Sequence, residues 1–502
     1  MEREGLQAWQ RRARDVAGRH GAMLLLLPIV WWFATQQHYL GHAWGDDFAL
    51  YVRQARSIVN GNIGQVIADN RFNVDNAAKP GFSPYVYPWG WPLLLSPFVR
   101  LFGLDYARLK MVEIALLCGF LWVFHEILRT RLQRWMAFGV VASIGTTLAY
   151  LVHTDQLLSE LPYMLAIATT FWWLDRCRRV HDRLHAASRN DLIVLGLLAV
   201  FVFNVRREGL AMIAAIVVAQ LLDVRGQWRV ADKLRLATPL ATFVAGVVGF
   251  QLLLPSALAP DYANAGLSQT WKKLQGPFRT TFASQLGLPR LRGIGLLLVF
   301  LLVVAGIVIR MWRAPRTDAP WLVFALGSLT IAGMIPAVAG RYLLAITPFG
   351  LYFAVQALAA IPITRRIRSW LAIGLLVSLV SYHLHDVEKQ VGQMRDLRAR
   401  GAALADGPEA PYAVAGFAAI RHFTHEDDVI AFFKVRALTL YTNRRGVQSS
   451  ELPVIQRRAD FYLMRKVSGV PQISADDGRT MGWTVTWEDP SWVLWRVRQP
   501  IG

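Results

Sequence analysis

WGDDFALYVRQARSIVNGN, residues 44–62, follows directly on the first apolar run of the chain and opens with two adjacent carboxylates, Asp46 and Asp47. Acids leaving a membrane span are costly unless water reaches them or chemistry uses them. The residues behind them carry a helical period. Phe48, Tyr51, Val52, Ala55, Ile58 and Val59 mark an apolar face, with Arg53, Gln54 and Arg56 on the other, and Gly61 is a natural stop. The spacing predicts an amphipathic helix lying along a membrane surface, headed by a carboxylate pair.

Outward from this stretch the chain reads as a multispanning membrane protein. It has 502 residues, of which 54% are hydrophobic, and a mean hydropathy of +0.32. Apolar runs recur at the length needed to cross a hydrocarbon core. The net charge of +20 falls in short arginine clusters between those runs, such as Arg129/Arg131/Arg134 and Arg365/Arg366/Arg368. That is the positive-inside pattern, and the absence of a basic face interleaved with aromatics excludes nucleic-acid binding. The first span, about 22–39, follows Arg11, Arg12, Arg14 and Arg19, and reads as uncleaved with a cytoplasmic N-terminus. Charge alternation then orients about eleven spans through residue 382, with a first outer loop at about 41–106 and a second carrying Trp271, Lys272 and Lys273.

After His383 no run is long enough to span. Segments 428–433, 438–442 and 460–464 read as strands, 483–487 and 492–497 as a hairpin, and 411–423 as a helix. The expected fold is therefore an α-helical multispanning domain, residues 1–384, followed by a small extracytoplasmic α/β domain, residues 385–502. Cys118 and Cys177 lie outside the extracytoplasmic segments, so no disulfide framework is expected, and no CxxC or HExxH spacing offers a zinc site.

The ionisable residues beside the spans collect at the outer boundary. To the doublet are added Lys110 and Glu113, Asp155 and Glu160 in HTDQLLSELP (153–162), Arg206, Arg207 and Glu208 in VRREGL (205–210), and Arg341. A transporter would place its essential charges near mid-membrane. A site at the outer surface suits a lipid-linked substrate whose tail stays in lipid while its head reacts in water. For a sugar on a lipid phosphate, arginines would stabilise the leaving phosphate and one carboxylate would take the proton of the acceptor hydroxyl. Plainer readings stand beside these. An aspartate of the doublet suits a helix cap, and Asp155 and Glu160 suit turn and cap positions. Arg206 could pair with Glu208, Arg341 could reach lipid headgroups, Lys110 and Glu113 read as an ion pair, and Tyr85, Tyr87, Trp89 and Trp91 as an interfacial belt.

The doublet and its helix resemble the first outer loop of the GT-C glycosyltransferases, of the protein O-mannosyltransferase and aminoarabinose-transferase kind. The resemblance continues in order through PYVYPWGWPLLLSPFVRLFG (84–103), SELPYML (159–165), VRREGL, GRYLLAITPFGLY (340–352) and FFKVRALTLYTNRRGV (432–447). It implies a polyprenyl-phosphate sugar donor, a glycan, lipid or protein acceptor, and an inverting transfer at the outer face of a bacterial cytoplasmic membrane. It implies an aspartate base. The doublet itself aligns Asp46 with that residue, whereas the spacing to Tyr51 aligns Asp47 better. Arg341 and Arg206 are the positions carried over for the phosphate, with Arg207, Glu160 and Asp155 as further substrate-binding candidates. No cofactor is implied, and assistance by a divalent metal is left open. A lipid-linked sugar flippase or transporter, or a non-catalytic polysaccharide-assembly protein, are the alternatives.

Overall fold

The computed structural model describes residues 2–80, 83–223, 230–258, 294–334, 340–466 and 473–497. The loop residues Trp271, Lys272 and Lys273 lie outside them. Up to residue 399 the described residues form helices joined by loops, ending in one helix of 35 residues, Arg365–Ala399, which runs unbroken through the boundary expected at 384. Among the described residues four helices are long and apolar enough to cross a membrane: Tyr106–Leu128, Leu234–Leu253, Ile294–Arg313 and Arg366–Ala399. A fifth span arises if Arg134–Thr146 and Leu148–Asp155, bent by 57°, are counted together. Further runs read as spans from the sequence form shorter helices, such as Ala211–Leu222 with 12 residues. One continuous core joins these helices, from Met23 and Val30 through Phe120 and Phe124 to Trp321, Phe349 and Tyr352.

The predicted surface helix is present as Asp46–Asn60 and ends at Gly61, whose φ of 70° lies in the left-handed region that glycine adopts without strain. It is more deeply enclosed than its pattern predicted. Arg53 and Gln54, expected on the polar face, are buried. Arg53 meets Asp69 of the next helix, Ile63–Asp75, at 2.6 Å, and Gln54 holds both the carbonyl and the N–H of Tyr87. Such partners make burial of these polar groups tolerable.

Beyond residue 400 lies a five-stranded sheet: β1 (Val429–Ala431), β2 (Arg445–Val447), β3 (Phe461–Arg465), β4 (Thr484–Glu488) and β5 (Trp492–Arg496), in the order β2-β1-β3-β5-β4. β1 runs parallel to β2 and β3, while β3, β5 and β4 pair antiparallel, so the expected hairpin is β4–β5. Alternation puts Phe461, Leu463, Trp492 and Leu494 against the helix Pro411–Phe423 on one face. Tyr462, Met464, Val493 and Trp495 form a second core with Trp483 on the other. β2 was not read from the sequence, and one predicted element has another type. Residues 438–442 belong to a helix, Val435–Thr442, not a strand. Its β-branched residues misled the pattern. As the crossover between parallel β1 and β2 the segment must leave the sheet, and Asn443 closes it in the left-handed conformation at φ 57°.

Candidate active site

Two helix ends, one corner, one short turn and the crossover helix converge on a cavity of about 710 Å³. Asp46 and Asp47 occupy the first turn of their helix, after Gly45 in extended conformation. Neither side chain caps that helix, contrary to the capping expectation, because other donors claim both. Asp47 Oδ2 accepts from Arg341 Nη2 at 2.5 Å, and its Oδ1 accepts from the Tyr87 hydroxyl at 2.5 Å. Asp46 Oδ1 accepts from the backbone N–H of Arg436 at 3.3 Å, and Lys434 Nζ lies 3.4 Å from its Oδ2.

Arg206 is presented by the corner that ends helix Arg189–Val205. That corner is gripped by Gly90: a Cβ there would fall 2.6 Å from the carbonyl oxygen of Asn204, a backbone clash only glycine avoids. Arg206 reaches Glu160 at 2.7 Å, Glu208 at 3.0 Å and Ser159 at 3.2 Å, and lies over the Tyr342 ring. The expected Arg206–Glu208 pair is thus present within a larger cluster. Arg341, in the short turn Gly340–Leu343, does not extend to headgroups; besides Asp47 its Nε sits 3.4 Å from Glu160. Arg207 makes no salt bridge among the described residues. Its donors go to the carbonyls of Ala257 and Phe203, Asn204 Oδ1 and Ser256 Oγ.

The electrostatics separate the doublet. Burial pushes both carboxyls up. At Asp47 the Arg341 guanidinium and the Tyr87 hydroxyl outweigh it and hold the group below the ordinary aspartate range. At Asp46 burial prevails over Lys434 and Arg436, and the group is raised. The side chain of Asp47 is 30% exposed, so the ionised acid faces the cavity. Burial likewise raises Glu160, but Arg206 and then Arg341 reverse it to a net lowering. Burial brings Arg207 down to about 10, with Glu208 opposing.

The cavity gathers Asp46, Asp47, Arg206, Arg207 and Arg341 from the expected residues, and Glu160 sits directly beneath through its two arginines. Asp155 is not on the cavity wall. It accepts from Lys110 Nζ at 2.6 Å and from the Tyr39 N–H at 3.1 Å. The predicted Lys110–Glu113 pair is therefore replaced. Lys110, buried, also donates to the carbonyls of Tyr39 and Gly41, while Glu113 accepts from the Leu158 N–H. A buried ammonium needs several acceptors, which one carboxylate a turn away does not supply. The interfacial-belt reading also changes: Trp89 and Trp91 are fully buried, and Tyr87 serves Asp47. Sequence reasoning placed Tyr87 only in the interfacial belt and assigned no role to Lys434 or Arg436. The signal available was the pair of cations in FFKVRAL beside an apolar strand.

Among the described residues no three His, Cys, Asp or Glu side chains cluster to hold a metal. In this arrangement the carboxylate oxygens of the doublet face cations and hydrogen-bond donors.

Neither a protein-family model nor a curated protein matches the chain by sequence. Solved structures do match. ArnT from Cupriavidus metallidurans in the apo state superposes with a TM-score of 0.56 at 13% identity, covering 96% of this chain and 98% of that one. The same protein bound to undecaprenyl phosphate gives 0.50 at 14% identity, covering 96% and 99%. The Archaeoglobus fulgidus oligosaccharyltransferase tethered with an acceptor peptide gives 0.53 at 11% identity, covering 90% of this chain and 70% of that one; it has also been solved in complex with Zn and sulfate. Over nearly its whole length, the chain has the fold of the GT-C superfamily of membrane glycosyltransferases.

Proposed function

We propose that this protein is a GT-C type glycosyltransferase that moves a sugar from a polyprenyl-phosphate donor to a cell-envelope acceptor. Residues 1–384, with about eleven spans and a cytoplasmic N-terminus, would form the membrane-embedded catalytic part at the bacterial cytoplasmic membrane. Residues 385–502 would stand outside. The observation that carries this reading is the 2.5 Å contact between Asp47 and Arg341 in a water-accessible cavity that also holds Arg206 and Arg207. An ionised carboxylate beside a group of guanidiniums is the minimum that such a transfer requires. A structural neighbour binding undecaprenyl phosphate supports the donor class.

In this mechanism Asp47 is the general base and inversion follows from a single displacement. The acceptor hydroxyl gives its proton to Asp47 as its oxygen attacks the anomeric carbon. The bond from that carbon to the phosphate oxygen breaks, and the lipid phosphate leaves with the electron pair. Arg341, Arg206 and Arg207 neutralise the developing charge; planar guanidiniums match phosphate geometry. Arg341 has a double function here. When the donor phosphate takes its N–H groups, Asp47 loses its strongest cationic partner and becomes more basic, so proton abstraction is enabled by donor binding. Glu160 keeps Arg206 and Arg341 aimed at the cavity.

The test is release of undecaprenyl phosphate from a panel of undecaprenyl-phosphate sugars, with envelope extract as acceptor and the full-length protein in proteoliposomes. Asp47→Asn is expected to abolish release while the thermal unfolding midpoint holds. Full release by Asp47→Asn, Asp46→Asn and the double variant would remove the carboxylates from the mechanism.

A further inference from the structure

The carboxylate pair sits on the membrane domain, yet Lys434 and Arg436, from beyond residue 400, reach it as well. The crossover helix Val435–Thr442 packs against Asp46–Asn60, and Arg436, at its start, is 2% exposed. Its guanidinium donates to the Tyr87 hydroxyl at 2.9 Å, to Asn70 Oδ1 at 3.0 Å and to the Pro84 carbonyl at 3.1 Å, and lies 5.0 Å from the centre of the Tyr87 ring. Tyr87 then has one hydroxyl proton to give, and it goes to Asp47 Oδ1. Because Arg436 can only donate, it takes a lone pair of the Tyr87 oxygen, which the Ser83 hydroxyl also approaches at 3.2 Å, and the phenol proton is left for Asp47. The chain is directional: guanidinium to phenol to carboxylate. Its middle member is locked further by stacking on Tyr51, with ring centres 4.7 Å apart.

We propose that Arg436 is a positioning residue that acts through Tyr87, so that the extracytoplasmic domain sets the orientation and proton affinity of the Asp47 carboxylate. This rests on the reading of Asp47 as base for its functional meaning, but the coupling itself can be measured without turnover. The groups facing Asp47 are Arg341 from its short turn, Tyr87 from the outer loop, Arg436 from the crossover helix, and Asp46 and Tyr51 from its own helix. Of these, Arg341 acts directly on Oδ2. Arg436 acts on Asp47 by its charge across space and by donating to the phenol that in turn donates to Oδ1, a cooperative hydrogen-bond route.

The experiment follows the infrared carbonyl band of the protonated Asp47 carboxyl, isolated as the wild-type minus Asp47→Asn difference, over a pH series in the full-length protein. Tyr87→Phe and Arg436→Gln are each expected to move the onset of that band to higher pH. In the Tyr87→Phe background, Arg436→Gln should move it by less than half as much, because the route through the phenol is gone. Asn70→Ala, which removes one acceptor from Arg436 without touching Tyr87, should give a smaller shift in the same direction and covers the case in which Arg436→Gln does not fold. An unchanged onset in Arg436→Gln and Asn70→Ala, or equal shifts in both backgrounds, would overturn the coupling. Transfer by Asp47→Asn reports separately on the catalytic reading, so the two ideas fail on different measurements.

Discussion

Asp46 and Asp47 are neighbours with opposite fates. Asp47, held low by Arg341 and Tyr87, is ionised and exposed to the cavity, whereas Asp46 is raised by burial and turned towards Lys434 and the Arg436 N–H. Asp47→Asn should therefore lower transfer by about 10²–10⁴-fold, the usual contribution of a general base. Asp46→Asn should cost less than about ten-fold, since this carboxyl is turned away from Arg341 and takes no proton in the proposed step; both are read from undecaprenyl-phosphate release. Arg341→Gln separates charge from packing. Asp47 and Glu160 both have lowered values, so the stability they draw from Arg341 is present above the ordinary carboxylate range and is lost as pH falls through those values. The gap in unfolding midpoint between wild type and Arg341→Gln should be widest near neutral pH and close on acidification. The acids of this site were legible in the sequence because carboxylates beside a span are expensive. Arg436 was not, since its partner Asp46 lies 390 residues away and a single arginine in a folded domain has many ordinary uses.

Helix Asp46–Asn60 was readable from its period and from Gly61, but the period could not show that the next helix and the loop carrying Tyr87 cover Arg53 and Gln54. The crossover helix was misread because short apolar, β-branched segments fit either element. Lys110 was misassigned because proximity along a helix competes with acceptors brought in by chain segments far apart in sequence. The corner carrying Arg206 depends on Gly90 in the neighbouring helix, and nothing local to either segment announced that contact. Gly90→Ala drives a methyl group into the Asn204 carbonyl, and overpacking of this kind costs about 1–3 kcal/mol. The expected result is a lower unfolding midpoint together with weaker binding of undecaprenyl phosphate, because the displaced corner takes Arg206 with it. Unchanged binding in a destabilised protein would separate the corner from the phosphate site.

Across the whole molecule a second ionic centre, remote in sequence from the doublet, ties the helices together. Asp318 is fully buried and accepts from Arg131, Arg310 and the Tyr352 hydroxyl, while Arg131 also holds Asp175 and lies 3.8 Å from the centre of the Trp321 ring. Removing one member of such a buried set leaves its partners unpaired, at about 3–5 kcal/mol. Asp318→Ala should sharply reduce the unfolding midpoint, yet transfer per folded molecule should persist, the reverse of Asp47→Asn. The arginine clusters were visible in the sequence as topology signals. Their carboxylate partners were not, since positive-inside counting says nothing about which cation is buried.

The helix Arg365–Ala399 extends about 52 Å at 1.5 Å per residue, well past a hydrocarbon core of about 30 Å. Arg398 near its top is fastened to the carbonyls of Thr35 and His38, and residues 403–406 lace onto Leu40 and Trp44 just ahead of the doublet. The residues beyond 400 are thus mounted on a stiff mast with guy-lines, not hung from a slack tether. Force applied to them would be passed along the lacing to Trp44, two residues before Asp46. A glycine-serine spacer inserted after Gly401 would leave the mast and its Arg398 anchor standing and uncouple them from the lacing of residues 403–406.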